Sequence, residues 1–186
     1  MEILKHRVNS VDEINQNFGA EIDVRDHNET LVLSHDYPNS QSQKLDDFLK
    51  KFPKEKLLAI NVKSCGIEKK LALILKNYEV KYFAFDFSFP YLFDAIKNNI
   101  TCALRLSEYE KELLEGPKWT WIDSFHSIWF DEKYVQSIKN LGYSIAIVSP
   151  ELHGRNVKNE FKQIESLIDK GLVDAICTDN LEMWND

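Results

Sequence analysis

Two imidazoles and an alternating pair of carboxylates stand near the start of the chain. His6-Arg7 is followed by Gly19-Ala20-Glu21-Ile22-Asp23-Val24, and then by Leu31-Val32-Leu33-Ser34-His35-Asp36. Glu21 and Asp23 are two positions apart, so on a strand both point to one side. Together they offer hard oxygen ligands to Mg2+ or Ca2+. His6 and His35 carry the side chain that exchanges a proton near neutral pH, which suits a general base and a general acid. Arg25 continues the parity of the acidic pair, and Asn61 and Lys63 alternate in the same way. Either histidine alone reads more readily as a surface or hydrogen-bonded structural residue; the carboxylate pair gives the two a chemical context.

Such residues need a scaffold that gathers them. Eight short apolar runs predict strands over 3–7, 20–25, 57–63, 82–87, 101–106, 119–125, 144–149 and 174–179. A ninth, over 31–34, reads either as a hairpin return or as an extended loop. Between the runs, apolar residues recur at helical spacing: Ile67, Leu71, Ile74, Leu75 and Tyr78; Tyr134, Val135, Ile138 and Leu141; Val157, Phe161, Ile164 and Ile168. Shorter helices fit 11–18, 44–52 and 89–98, and Ser107-Glu108-Tyr109-Glu110 has a capping-box pattern that predicts a helix start. Strand–helix alternation of this kind implies a parallel sheet. The expected fold is α/β, a compact (β/α)8 TIM-type barrel, with an open doubly wound sheet as the alternative. Only residues 181–186 follow the last strand, so the last helix is expected to be short or missing. The whole chain, 1–186, is expected to form one domain.

Polar residues mark the C-terminal ends of these strands: His6 and Arg7; Glu21, Asp23 and Arg25; Asn61 and Lys63; Asp86; Arg105; Asp123; Ser149 and Glu151; Asp179. Strands covered by helices should be apolar throughout. In a barrel those ends converge on the face that carries the chemistry, and in an open sheet they gather at one edge. Arg105 reads as a phosphate contact or as the ion-pair partner of Asp86 or Asp123. Trp119 and Trp121 share a face, either as core or as a platform on which a sugar ring stacks. His27, His126 and His153 receive no role.

The composition narrows the partners. The chain has 186 residues, 23 basic and 30 acidic, with a net charge of −7. An acidic chain without a lysine/arginine run is not expected to bind nucleic acid or anionic membranes. No apolar stretch approaches the roughly 20 residues that a membrane span needs, and no signal peptide is visible at the start. Cys65, Cys102 and Cys177 are odd in number and lack metal-site spacing, so they are expected as buried apolar residues in a reducing, cytoplasmic protein.

The same residues carry a resemblance to the glycerophosphodiester phosphodiesterases and the wider phospholipase-C-like phosphodiesterase superfamily. That family has a His-Arg after its first strand, a Glu-x-Asp second strand and a His-Asp shortly after. Its third strand ends Glu-x-Lys, and its last reads like Asp-Gly-Ile-x-Thr-Asp-Asn-Pro. This chain has Ile60-Asn61-Val62-Lys63 and Asp174-Ala175-Ile176-Cys177-Thr178-Asp179-Asn180-Leu181 in those places. The resemblance implies a barrel, a divalent cation (Mg2+ or Ca2+) and cleavage of a glycerophosphodiester-like or sugar-phosphate diester. It implies His6 and His35 as the acid/base pair, Arg7 and Lys63 on the phosphate, and Glu21 and Asp23 on the metal. Arg105 and Trp121 join the substrate-binding candidates. Asn61 stands where the family has a third carboxylate, and Asp86 on the next strand is the acid that would compensate. Val8 replaces the family's glycine after His-Arg. The sequence is also similar to a smaller group of bacterial proteins with His-Arg-Val-Asn, Glu-Ile-Asp-x-Arg and Val-Ser-Pro-Glu-Leu segments, associated with surface-polysaccharide metabolism. Two other functions stay open. One is a barrel that binds a sugar phosphate or phosphorylated head group without turnover. The other is an unrelated barrel enzyme built around a lysine.

Overall fold

The eight apolar runs become eight parallel strands because each is shielded on both faces, by the barrel interior on one side and by helices or packed loops on the other. The computed structural model describes residues 1–185. In chain order the elements are β1 (Glu2–Lys5), β2 (Gly19–His27), β3 (Thr30–Leu33), β4 (Gln43–Lys44), α1 (Leu45–Leu49), β5 (Leu57–Val62), α2 (Glu68–Leu75), β6 (Lys81–Phe85) and α3 (Phe89–Lys97). They continue with β7 (Ala103–Leu106), β8 (Trp119–Ile122), α4 (Glu132–Asn140), β9 (Ser144–Val148), α5 (Lys158–Asp169) and β10 (Ala175–Thr178).

The parallel order runs β6-β5-β2-β1-β10-β9-β8-β7. Strands β6 and β7 then meet through a single parallel bridge, Ala84–Cys102, and the hydrogen bond from Ala84 N to Thr101 O at 2.8 Å. That seam brings the ends of the ring together in a TIM-type barrel. Strands β3 and β4 are an antiparallel extension of β2 outside the ring.

The barrel interior is filled by alternate residues of its strands. Leu4, Ala59, Phe83, Phe85, Trp121, Ala146, Val148 and Cys177 form one buried cluster. Phe85 and Trp121 stack with ring centroids 4.1 Å apart, and Phe83 stacks on Trp119 at 4.7 Å. Near the start of β2 this filling requires a glycine. A Cβ on Gly19 would lie 2.4 Å from Leu57 O and 2.6 Å from Leu4 Cδ2. Two outer clusters sit between the strands and their covering layer, one under α1, α2 and α3, the other under α4 and α5.

The hairpin β2–β3 resolves the alternative left open for 31–34. Asn28 and Glu29 both have positive φ, 46° and 59°, as a two-residue turn between right-twisted strands requires. Three expectations need correction. Ser107–Glu110 opens no helix: Ser107 Oγ accepts from the backbone N–H groups of Tyr109 and Glu110 in a local turn. The segment after it, which has no helical apolar period and carries Gly116-Pro117, crosses to β8 as a packed loop. The connection from β1 to β2 holds only a short 3-10 turn, Val11–Glu13, in place of a helix over 11–18. Cys65 is exposed, while Cys102 and Cys177 are buried. Among the described residues after β10 there is only the 3-10 turn Leu181–Trp184, whose Trp184 packs on Phe161. Among the described residues, no helix is long and apolar enough to cross a membrane.

Candidate active site

Side-chain parity builds the site. Leu4, Ala59, Ala103, Trp121 and Cys177 fill the interior. The residues two positions further on, His6, Asn61, Arg105, Asp123 and Asp179, therefore stand at the C-terminal mouth. Glu21 and Asp23 enter the same layer from β2, and both are almost fully buried.

Asp23 is the hub. Its Oδ2 accepts a hydrogen bond from Asn9 Nδ2 at 2.9 Å, and its backbone N–H donates to Asn9 Oδ1 at 2.8 Å. Lys63 Nζ lies 3.3 Å from Oδ1, and His35 Nδ1 lies 3.3 Å from each carboxylate oxygen. Burial pushes the Asp23 carboxyl up, but Asn9, Lys63 and His35 outweigh it and hold its pKa below the usual range. Glu21 goes the other way. Burial and the charge of Asp23 raise its pKa well above the usual carboxylate range, against a backbone N–H from Arg7 at 2.9 Å.

The hairpin delivers His35. Ser34 N donates to Asp23 O at 2.9 Å, which folds the end of β3 back over the mouth. Arg25 fastens that segment: Nη2 donates to His35 O at 2.9 Å, Nε to Ser34 O at 3.3 Å and Nη1 to Lys63 O at 3.4 Å. His6 reaches the mouth from β1, its Nδ1 3.3 Å from Asp179 Oδ1. Burial and the nearby Arg7 charge lower the His6 pKa against the opposing pull of Asp179. Arg7 has φ 51°, which turns its N–H onto Glu21 and leaves its side chain exposed at the rim.

The donors suit a hard divalent cation. Glu21 and Asp23 bring two buried carboxylates to one strand face, and Asp23 is in register with Asn61 on β5. The Asn61 amide works against the rise of the Glu21 pKa, and its Oδ1 is buried without a hydrogen-bond partner. An orphaned buried oxygen beside two carboxylates fits an oxygen-ligated cation. No cluster of three or more His, Cys, Asp or Glu residues with metal-site geometry occurs among the described residues. The set is therefore two carboxylates and an amide.

Asp86 and Trp121 stand elsewhere than expected, and Arg105 takes the ion-pair reading of the two left open for it. Asp86 does not complete that oxygen set: φ 65° turns it toward Arg105, which binds both its carboxylate oxygens. Arg105 is not free for phosphate, because its Nη1 also donates to Asp123 Oδ2 at 2.8 Å. Trp121 offers no face to a sugar, being 4% exposed and covered by Phe85. Sequence reasoning placed Arg25 at the strand ends without its partners, and missed Asn9 and His153 as contributors at the mouth. His153 Nε2 sits 2.6 Å from Asp123 Oδ1. Asn9 lay within the quoted His-Arg-Val-Asn run and Arg25 within the alternating parity of β2. Nothing local pointed to His153.

No family model matches the chain, and no curated protein matches it. Among solved structures it is similar to the glycerophosphodiester phosphodiesterase of Thermotoga maritima, with a TM-score of 0.73 at 16% identity, over 100% of this chain and 97% of that one. It is also similar to an Oleispira antarctica phosphodiesterase in complex with the product sn-glycerol-3-phosphate. That match has a TM-score of 0.66 at 16% identity, over 96% of this chain and 93% of the other. At such identities the likeness establishes the barrel fold.

Proposed function

We propose that the chain hydrolyses a phosphodiester of the glycerophosphodiester or sugar-phosphate type, with His6 and His35 as its acid/base pair. The observation that carries this reading is the convergence of two carboxylate-bound imidazoles, the Glu21–Asp23 pair and Lys63 on one barrel mouth. A phosphodiester is an anion that gains charge in the transition state, so Lys63 and the exposed Arg7 are placed to bind its nonbridging oxygens. One imidazole takes the proton of a water, or of a neighbouring substrate hydroxyl, as that oxygen bonds to phosphorus. The bond from phosphorus to the leaving oxygen breaks, and the other imidazole gives that oxygen its proton. Asp23 and Asp179 orient the two rings. Glu21, Asp23 and the Asn61 oxygen would hold Mg2+ or Ca2+, which supplies Lewis-acid stabilisation of phosphate charge.

The test is release of 4-nitrophenol from bis(4-nitrophenyl) phosphate with Mg2+, Ca2+ or Mn2+. Turnover should require the cation, vanish with a chelator and fall at least about tenfold in Glu21→Gln. Turnover indifferent to both would remove the metal assignment. Asn61 favours one second reading, because an amide adds no charge to the cation site: binding of a sugar phosphate or phosphorylated head group without turnover. Saturable binding of a phosphate ester with no hydrolysis under any cation would select it.

The His6–Asp179 pair gives a pH test of roles. The Asp179 carboxylate favours the imidazolium of His6, so Asp179→Asn moves the His6 pKa further down. If His6 takes the proton, it must be neutral, and the acidic limb of the kcat/KM profile shifts to lower pH. If His6 gives the proton, it must be charged, and the alkaline limb shifts to lower pH. Two limbs that stay in place would remove His6 from the reaction.

A further inference from the structure

Beside the His/carboxylate cluster lies a cavity of about 1020 Å3, over the mouth-side ends of β5, β6 and β7. Lys63 lines it and also touches Asp23, so the cavity continues the site toward the ring's seam. Its floor is charged. Asp86 adopts a positive φ of 65°, uncommon for a residue with a side chain, and accepts from Nε and Nη2 of Arg105. Its wall is aromatic. Phe125 lies 5.8 Å from the Arg105 guanidinium and edge-on to His153 at 5.3 Å, with Tyr109 at 6.2 Å.

That wall is built into the fold. Glu108 accepts the backbone N–H groups of Phe125 at 3.1 Å and His126 at 2.9 Å, and Tyr109 Oη bonds His126 Nε2 at 2.6 Å. Burial pushes the Glu108 carboxyl up, but these N–H groups win and hold its pKa below the usual value. One acidic side chain thus ties the loop after β7 to the loop after β8 and fixes where Phe125 stands.

We infer that this cavity is the subsite for the second alcohol of the phosphodiester, and that this alcohol is a pyranose-type sugar. The inference rests on the reading of the site as a phosphodiester site and names its substrate class. A sugar ring has C–H faces that pack on Phe125 and Tyr109, and hydroxyls on its edge that can donate to the remaining lone pairs of the Asp86 carboxylate. An acyl chain would strip water from Asp86, Arg105 and Glu108 and replace none of it. A polynucleotide would meet four carboxylates on the lining, Asp86, Glu108, Glu110 and Glu112. Glycerol is far smaller than the space. Pockets of this size with convergent polar groups and aromatic walls suit a ring-sized polar ligand.

The test is equilibrium binding, in magnesium buffer, of glycerol 3-phosphate, octyl phosphate, and glucose, galactose and mannose 1-phosphates. At least one sugar phosphate should bind tenfold or more tighter than glycerol 3-phosphate and octyl phosphate. Phe125→Ala and Tyr109→Ala should each bring it down toward the glycerol ester, and Tyr109→Phe, which keeps the ring, should retain most of the advantage. Both positions are exposed, and the alanine variants carry the test separately if one fails to fold. Sugar phosphates no tighter than glycerol 3-phosphate, or octyl phosphate tightest of all, would overturn the subsite even if hydrolysis stands. A tenfold sugar preference abolished by Phe125→Ala, without turnover of any diester, would support the subsite and sink the hydrolase reading. No binding of any of these esters overturns the subsite, and absence of bis(4-nitrophenyl) phosphate turnover beside it overturns the hydrolase reading as well.

Discussion

Alanine at His6, and separately at His35, is expected to lower hydrolysis of an alkyl phosphodiester by about 10²- to 10⁴-fold, the usual worth of a positioned acid or base. The two losses should differ by leaving group. 4-Nitrophenolate departs without a proton, so removing the acid costs little on bis(4-nitrophenyl) phosphate and much on a glycerol diester. Removing the base is costly on both. Comparing the two substrates in each variant therefore assigns the roles. His6→Ala leaves only Asp179 behind, whose side chain is already mostly exposed, so the variant should fold. His35→Ala is less clean: Asp23 loses one of the donors that keep its charge buried. The paired readout for His35 is the unchanged circular dichroism of the variant. If both variants retain full activity on the glycerol diester, the proposed chemistry is wrong.

Of the glycines, Gly19 has the least room for an added methyl, so Gly19→Ala should produce a large loss of stability. The added carbon meets a backbone oxygen, Leu57 O, at 2.4 Å and Leu4 Cδ2 at 2.6 Å. Leu4 could change rotamer at a price, but the carbonyl belongs to β5 and cannot yield without moving the β2–β5 ladder. Overpacking of this kind costs about 1–3 kcal/mol or more. For a chain of this size that corresponds to a fall in Tm of roughly 3–10 °C, read by thermal unfolding. A Tm within a degree of wild type would mean that Gly19 does not face Leu4 inside the barrel.

The strands were legible because a parallel barrel asks for a signature the sequence can show: apolar runs that turn polar where they end. All eight runs become ring strands, and the parity of Glu21 with Asp23 and of Asn61 with Lys63 already said which side chains share a face. Pairing around the mouth was not legible. Which carboxylate meets Arg105 depends on the circular order of β6, β7 and β8, and Arg105 lies between Asp86 and Asp123 because its strand lies between theirs. Trp121 looked able to serve a ligand because its spacing from Trp119 gives one face. Whether that face is open depends on what Phe85 does across the barrel. The Ser107 pattern failed because a capping box specifies a helix start only if an amphipathic segment follows, and residues 111–118 are not one. Glu108 instead reaches across to the backbone of residues 125–127, a tertiary use that no local pattern encodes.

The seam between β6 and β7 makes the barrel mechanically lopsided. From Ala20–Leu58 to Val24–Val62 the β2–β5 ladder is continuous, and this stiff arc carries Glu21, Asp23 and Asn61. Across the seam, by contrast, one backbone bridge joins the strands, and the pairing of Arg105 with Asp86 supplies the side-chain tie. The backbone ladder is therefore thinnest in the arc that holds the cavity, where one ion pair closes the ring, and densest under the charged centre. Such a division lets one half of a rim adjust to guests of varied shape without disturbing the geometry of the other.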